Sequence, residues 1–176
     1  MADPHRTLLD GLHAPGFKPY VALDAAGIPG LLDRLHTPSA PHGQCLYSGA
    51  LDAEMAAVAP YLVELPRAGA FLDWLLSGWG RHWGVYVRVP EALDFAALRR
   101  HLRRLNLVYG PRGEPLLFRW YDPRVLGLVA PTLEAAQLQA LFGPVHSFVI
   151  EGDSAAQARV LELAGGKLVD TRFPLQ

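Results

Sequence analysis

The chain has 176 residues, one domain's length at about 150 residues per domain, and area scaling lets a chain of this mass bury about 70% of its extended surface. Its 51% apolar and 19% charged residues exclude a disordered chain, and 16 basic against 17 acidic side chains leave a net charge of −1, too little to attract nucleic acid or an anionic membrane as a whole. A single cysteine, Cys45, excludes an internal disulfide and a zinc ribbon and suits a reducing compartment.

In chain order, residues 1–18 form an N-terminal segment that carries Pro4, Pro15 and Gly16, with one turn of helix expected at 7–12. The acid at Asp3, with no apolar core behind it, is unlike a secretory signal. A short buried strand is predicted at 20–24, followed by a helix at 28–35 with Pro29 in its first turn. After a Pro-rich loop, 44–47 is extended, Asp52 caps a helix to about residue 58, and 61–65 is a strand. Residues 68–76 place Phe71, Leu72, Leu75 and Leu76 on one helical stripe, with Gly78 and Gly80 as the stop.

The run at 83–89 is the strongest strand and belongs at the centre of the sheet. A helix is predicted over 91–105, with Phe95, Leu98, Leu102 and Leu105 on its apolar face, and a β-hairpin pairs 107–109 with 116–121. Asp122-Pro123 reads as N-cap and first helical residue of a helix to 129, and 132–142 is a further helix stopped by Gly143-Pro144. Strands are predicted at 145–151, 159–163 and 167–171, the middle one compatible with a helix. Hairpins mixed with helical crossovers give an α+β class: one compact domain with a mixed β-sheet, flanking helices and a small C-terminal strand region. The uncharged windows 35–51 and 135–150 are too short and interrupted for a membrane helix of about 20 apolar residues, so a cytoplasmic chain with no membrane partner is expected.

Chemistry is harder to find. Gly78-Trp-Gly80-Arg-His-Trp-Gly84 has neither the spacing nor the strand-then-helix context of a dinucleotide loop, and phosphate-loop and Gly-x-Ser-x-Gly motifs are absent from the sequence. His42 and Cys45 supply two ligands where structural zinc needs four. His82 becomes a general base only if a carboxylate meets it in space; otherwise it packs at a strand entrance. Asp73 is catalytic only beside a second acid, and exposure on a polar helix face is its ordinary reading. No catalytic residue, metal or cofactor is assigned.

Arg99, Arg100, His101, Arg103 and Arg104 form a basic surface suited to phosphates or an acidic partner segment, with a solvated helix face as the plain reading. Single-strand binding would need exposed aromatics beside it, and Tyr109, Trp120 and Tyr121 follow in sequence, where strand periodicity buries some of them. Asp122, at a helix start ahead of Pro123, is spaced to bridge Arg119 and Arg124 and so fix the hairpin against the next helix.

The segments Tyr20-Val-Ala-Leu-Asp24, Ile28-Pro-Gly-Leu-Leu32, Leu46-Tyr-Ser-Gly49 and Ala59-Pro-Tyr-Leu-Val-Glu-Leu65 are followed by Phe71-Leu-Asp-Trp-Leu75 and Trp83-Gly-Val-Tyr86. Leu98-Arg-Arg-His-Leu-Arg-Arg104, Leu117-Phe-Arg-Trp-Tyr-Asp-Pro-Arg-Val-Leu126 and Leu141-Phe-Gly-Pro144 complete the set. In this order they resemble the adaptor-chaperone family of bacterial type VI secretion, first catalogued as a domain of unknown function. The resemblance covers 19–144, with 145–176 as a β-rich extension of the same domain.

It implies a protein that is not an enzyme, that holds the N-terminal region of a cognate toxic effector through an exposed groove and that helps to load it onto the VgrG spike, with no nucleic acid among its partners. The partner surface expected on this basis comprises Arg99, Arg100, Arg103, Arg104, Trp83, Trp120, Tyr121 and Arg124, with Arg119, Asp122 and Pro123 structural. An immunity-type toxin-binding protein and a small hydrolase or transferase, with His82 or His42 meeting a carboxylate, are the alternatives.

Overall fold

In the runs at 20–24, 83–89 and 145–151 apolar residues predominate without the polar alternation of a half-solvated sheet, so both faces of these strands must be covered. The computed structural model describes residues 5–175; Asp3 and Pro4 lie outside the described residues. Its elements are α1 (Arg6–Leu12), β1 (Phe17–Asp24), α2 (Leu31–Leu35), β2 (Gly43–Cys45), α3 (Ala53–Val58), β3 (Pro60–Glu64), α4 (Ala70–Ser77) and β4 (Gly84–Pro90). There follow α5 (Phe95–Leu105), β5 (Leu107–Tyr109), β6 (Pro115–Leu117), α6 (Pro123–Val129), α7 (Ala135–Phe142), β7 (Ser147–Glu151), β8 (Gln157–Ala164) and β9 (Lys167–Pro174). The class is α+β.

Seven strands form one sheet in the order β2-β3-β1-β4-β7-β8-β9, with β4 in the middle, while β5 and β6 make a separate ribbon. Every pairing is antiparallel, so the helices between strands return the chain without making the parallel pairs that a mixed sheet would contain. Successive residues of β1, β4 and β7 feed opposite cores. Tyr20, Ala22, Val85, Val87, Val89, Phe148 and Ile150 face one side, where α5, α6 and α7 contribute Leu98, Leu102, Leu126, Leu138, Leu141 and Phe142. Val21, Leu23, Tyr86 and Val149 face the other, covered by Leu8 and Leu12 of α1, Leu31 of α2, and Leu72, Leu75 and Leu76 of α4. No described helix is long and apolar enough to cross a membrane.

The helix predicted at 28–35 shrinks to α2 because Gly30 takes a left-handed conformation at φ +74° right after Pro29, leaving 28–30 as a turn that follows a 3₁₀ turn at Ala25–Gly27. The helix expected from 91 begins at Phe95, where Asp94 accepts a 2.7 Å hydrogen bond from the Ala97 N–H as N-cap. The second hairpin strand ends at Leu117 rather than 121, since Trp120 and Tyr121 turn into the core. The ambiguous 159–163 segment is a strand, and β1 and β9 are longer than predicted.

Candidate partner-binding surface

On α5, Leu98 and Leu102 point into the core and leave the arginines outside. Arg99 Nε donates to the Cys45 carbonyl at 2.8 Å, and Arg103 donates to Ser48 Oγ. Arg100 and Arg104, one turn apart, are exposed, and none of the four has a carboxylate within ion-pair distance among the described residues. His101 is instead drawn inward, its Nε2 3.0 Å from the Leu141 carbonyl, and burial lowers its pKa.

Directly after α5, buried Asn106 fastens the root of the β5–β6 ribbon. Its Nδ2 donates to the Leu46 carbonyl at 2.8 Å, its Oδ1 accepts from Trp120 Nε1 at 2.9 Å, and its carbonyl accepts from the Phe118 N–H at 2.9 Å. Beyond that root the ribbon stands free. Leu107 is 50% exposed, Tyr109 70% and Leu117 60%, with Val108 and Leu116 also exposed. Six apolar residues in two strands thus lie open to water on both faces of a ribbon that contributes nothing large to either core.

Next along the chain, Asp122 caps α6: its Oδ1 accepts from the Arg124 N–H at 2.9 Å, and its two oxygens accept from Arg124 Nε at 3.0 Å and Nη2 at 2.7 Å. Arg119 stands 4.0 Å from the same carboxylate and makes its main ion pair with Asp24, at the end of β1. Burial alone would raise the Asp122 pKa, but the bonds from Arg124 outweigh it and hold the group below the ordinary aspartate value. Pro123 is buried at the first helical position. Asp24 was not foreseen; it also accepts from the Ala26 N–H at 3.2 Å.

Three expected surface residues belong elsewhere. Trp120 and Tyr121 are almost wholly buried, Trp120 against Phe148 and Tyr121 with its hydroxyl 3.2 Å from that of Tyr47, so neither is available to a partner. Trp83 is half-buried over Gly78 and against Trp74 on the opposite side of the sheet, apart from the arginines of α5. Tyr109 is the aromatic of this stretch that water reaches.

His82 does meet a carboxylate in space. Its Nδ1 is 2.9 Å from Glu151 Oε2, and its N–H donates to both oxygens at 3.1 Å while the residue sits at φ +59°. Burial raises the Glu151 pKa, and the His82 N–H and imidazole partly offset this. The pair borders a hollow of about 200 Å³ also lined by Arg124, Asp153 and Arg159, and Arg159 is itself held by Asp170 at 2.7 Å. His42 packs edge-on against Phe95, and Asp73 is exposed. Among the described residues no group of three or more His, Cys, Asp or Glu is placed to hold a metal ion.

The exposed hydrophobic residues Leu107, Leu116 and Leu117 escaped the sequence reading because an uninterrupted apolar run signals a strand buried on both faces. The available signal was the first hairpin strand, 107–109, too short to span a core.

No curated protein and no solved structure matches the chain. A family model described as a domain of unknown function, DUF4123, matches residues 19–140, and its span takes in β1 to β4, α5, the free ribbon and the Asp122 cap. A match over more than half of the chain places it in that family: the protein belongs to the DUF4123 domain family.

Proposed function

We propose that this chain is an adaptor chaperone: it binds the N-terminal region of a cognate type VI secretion effector in the cytoplasm and assists its loading onto the VgrG spike, without catalysing a reaction. The observation that carries this reading is the β5–β6 ribbon, whose large apolar side chains are open to water next in the chain to arginines of α5 that have no carboxylate within ion-pair distance among the described residues. Contiguous exposed apolar surface with a polar rim is characteristic of a protein-binding patch and costs solubility when it has no occupant. Family membership and the motif resemblance over 19–144 support the same reading. Co-expression with candidate toxic effectors taken from neighbouring genes tests the proposal. A stable complex with one of them, able to bind VgrG, is expected; no complex with any of them or with VgrG overturns it.

The His82–Glu151 pair favours a second reading, a small hydrolase or transferase. Against that reading, Glu151 accepts the backbone N–H of His82 through both carboxylate oxygens, a role suited to holding the loop in its left-handed turn. The residues lining the adjacent hollow include no serine, threonine or cysteine. Turnover of ester, amide or phosphoester substrates by the chain, abolished in His82→Ala, would establish the enzyme instead. An immunity protein would rescue cells from the effector's toxicity by itself, which an adaptor does not.

A further inference from the structure

Resting on the adaptor reading, we infer that the free edge of β5 is the place where the partner binds, and that it takes a short extended segment, apolar at its centre and acidic at both ends, as an added strand. The hydrogen-bond alternation of the ribbon singles out this edge. Gly110 N–H donates to the Glu114 carbonyl and Phe118 N–H to the Asn106 carbonyl, both at 2.9 Å, which makes 106:118 and 110:114 hydrogen-bonded pairs. In the register Leu107↔Leu117, Val108↔Leu116, Tyr109↔Pro115, the pairs at 107 and 109 then turn their N–H and C=O groups away from the ribbon.

The two edges are unequal. On β6 the outward positions are Leu117 and Pro115, and proline has no N–H, so that edge is blunted. On β5 both outward positions, Leu107 and Tyr109, keep donor and acceptor, a template for strand addition. Three residues of strand span about 10 Å, which sets the length of the added segment's apolar centre.

Charge fixes the chemistry of its ends. Arg104 precedes the strand and Arg112 follows it, both exposed and neither within ion-pair distance of a carboxylate among the described residues. The nearest acid in sequence, Glu114, is bound by the Arg112 N–H at 3.0 Å. A segment with carboxylates at both ends meets an arginine at each end of β5, and one carrying lysine or arginine there is repelled.

Hydrogen exchange on the full chain, free and bound to the N-terminal region of an effector that forms a complex with it on co-expression, tests the assignment. The Leu107 and Tyr109 amides should slow at least tenfold on binding while the Leu117 amide does not. Tyr109→Pro, which removes the outward donor, should weaken binding at least tenfold, and Tyr109→Val, which keeps it, less than threefold, with both variants retaining the melting temperature of the parent. Arg104→Gln with Arg112→Gln should lower affinity and remove most of its salt dependence.

Unchanged exchange at Leu107 and Tyr109 in a complex that does form overturns the inference and leaves the adaptor reading standing. So does a dimer of the free chain that Tyr109→Pro converts to monomer, since the occupant is then a second copy. Failure of the unaltered chain to form any complex overturns both.

Discussion

Asn106 carries more of the structure than its size suggests. It satisfies one buried carbonyl and one buried indole N–H at once, and it sits where α5 gives way to the ribbon. Asn106→Ala leaves both groups unpaired, at roughly 1–3 kcal/mol each, so a loss of about 2–6 kcal/mol is expected in the urea unfolding free energy. Two acids give opposite pH signatures. Asp122, held below its ordinary value of 3.8, adds stability above that value which is lost as the pH falls beneath it. Glu151 is raised from 4.5, so the stability present below that value is lost as the pH rises through its folded-state pKa. Urea midpoints measured from pH 3 to 7 should therefore exceed those of Asp122→Asn toward neutral pH, with the gap closing toward pH 3, and should fall below those of Glu151→Gln above pH 4.5. Asp122 and Arg124 could be paired from sequence because capping is local. Arg119 with Asp24 and His82 with Glu151 could not, being 95 and 69 residues apart and joined only where strand ends converge.

At the scale of elements, the helices were legible from their apolar stripes and caps, and the strands from their β-branched runs. The boundaries moved where a single backbone position decided them, as Gly30 does for α2. Gly84 is the sharpest such position in the sheet. A Cβ there would lie 2.2 Å from the Ala22 carbonyl oxygen, backbone that cannot yield without breaking the β1–β4 ladder. Gly84→Ala should destabilise by about 3 kcal/mol or more, at the upper end of overpacking costs. Gly27→Ala, whose Cβ meets nothing within 4 Å, should change stability by less than about 1 kcal/mol in the same thermal melts.

The arrangement of the whole molecule was the least legible level. Sequence neighbours pair in β7, β8 and β9, but nothing local says that β1 lies between β3 and β4, or that β7 closes the far side of β4. The family match ends at residue 140, yet Phe148, Ile150 and Leu161 beyond it are fully buried in the larger core. A chain cut after residue 144 should therefore fail to fold: gel filtration should find it aggregated, and its near-ultraviolet circular dichroism should be flat. The same strand order sets a timetable for synthesis on the ribosome. β2, β3, β1 and β4, all made by residue 90, can zip together as a block while the rest is still being translated. The inner edge of β4 then stays bare until residues 147–151 clear the exit tunnel, and in that interval the nascent protein is most exposed to sticking to its neighbours.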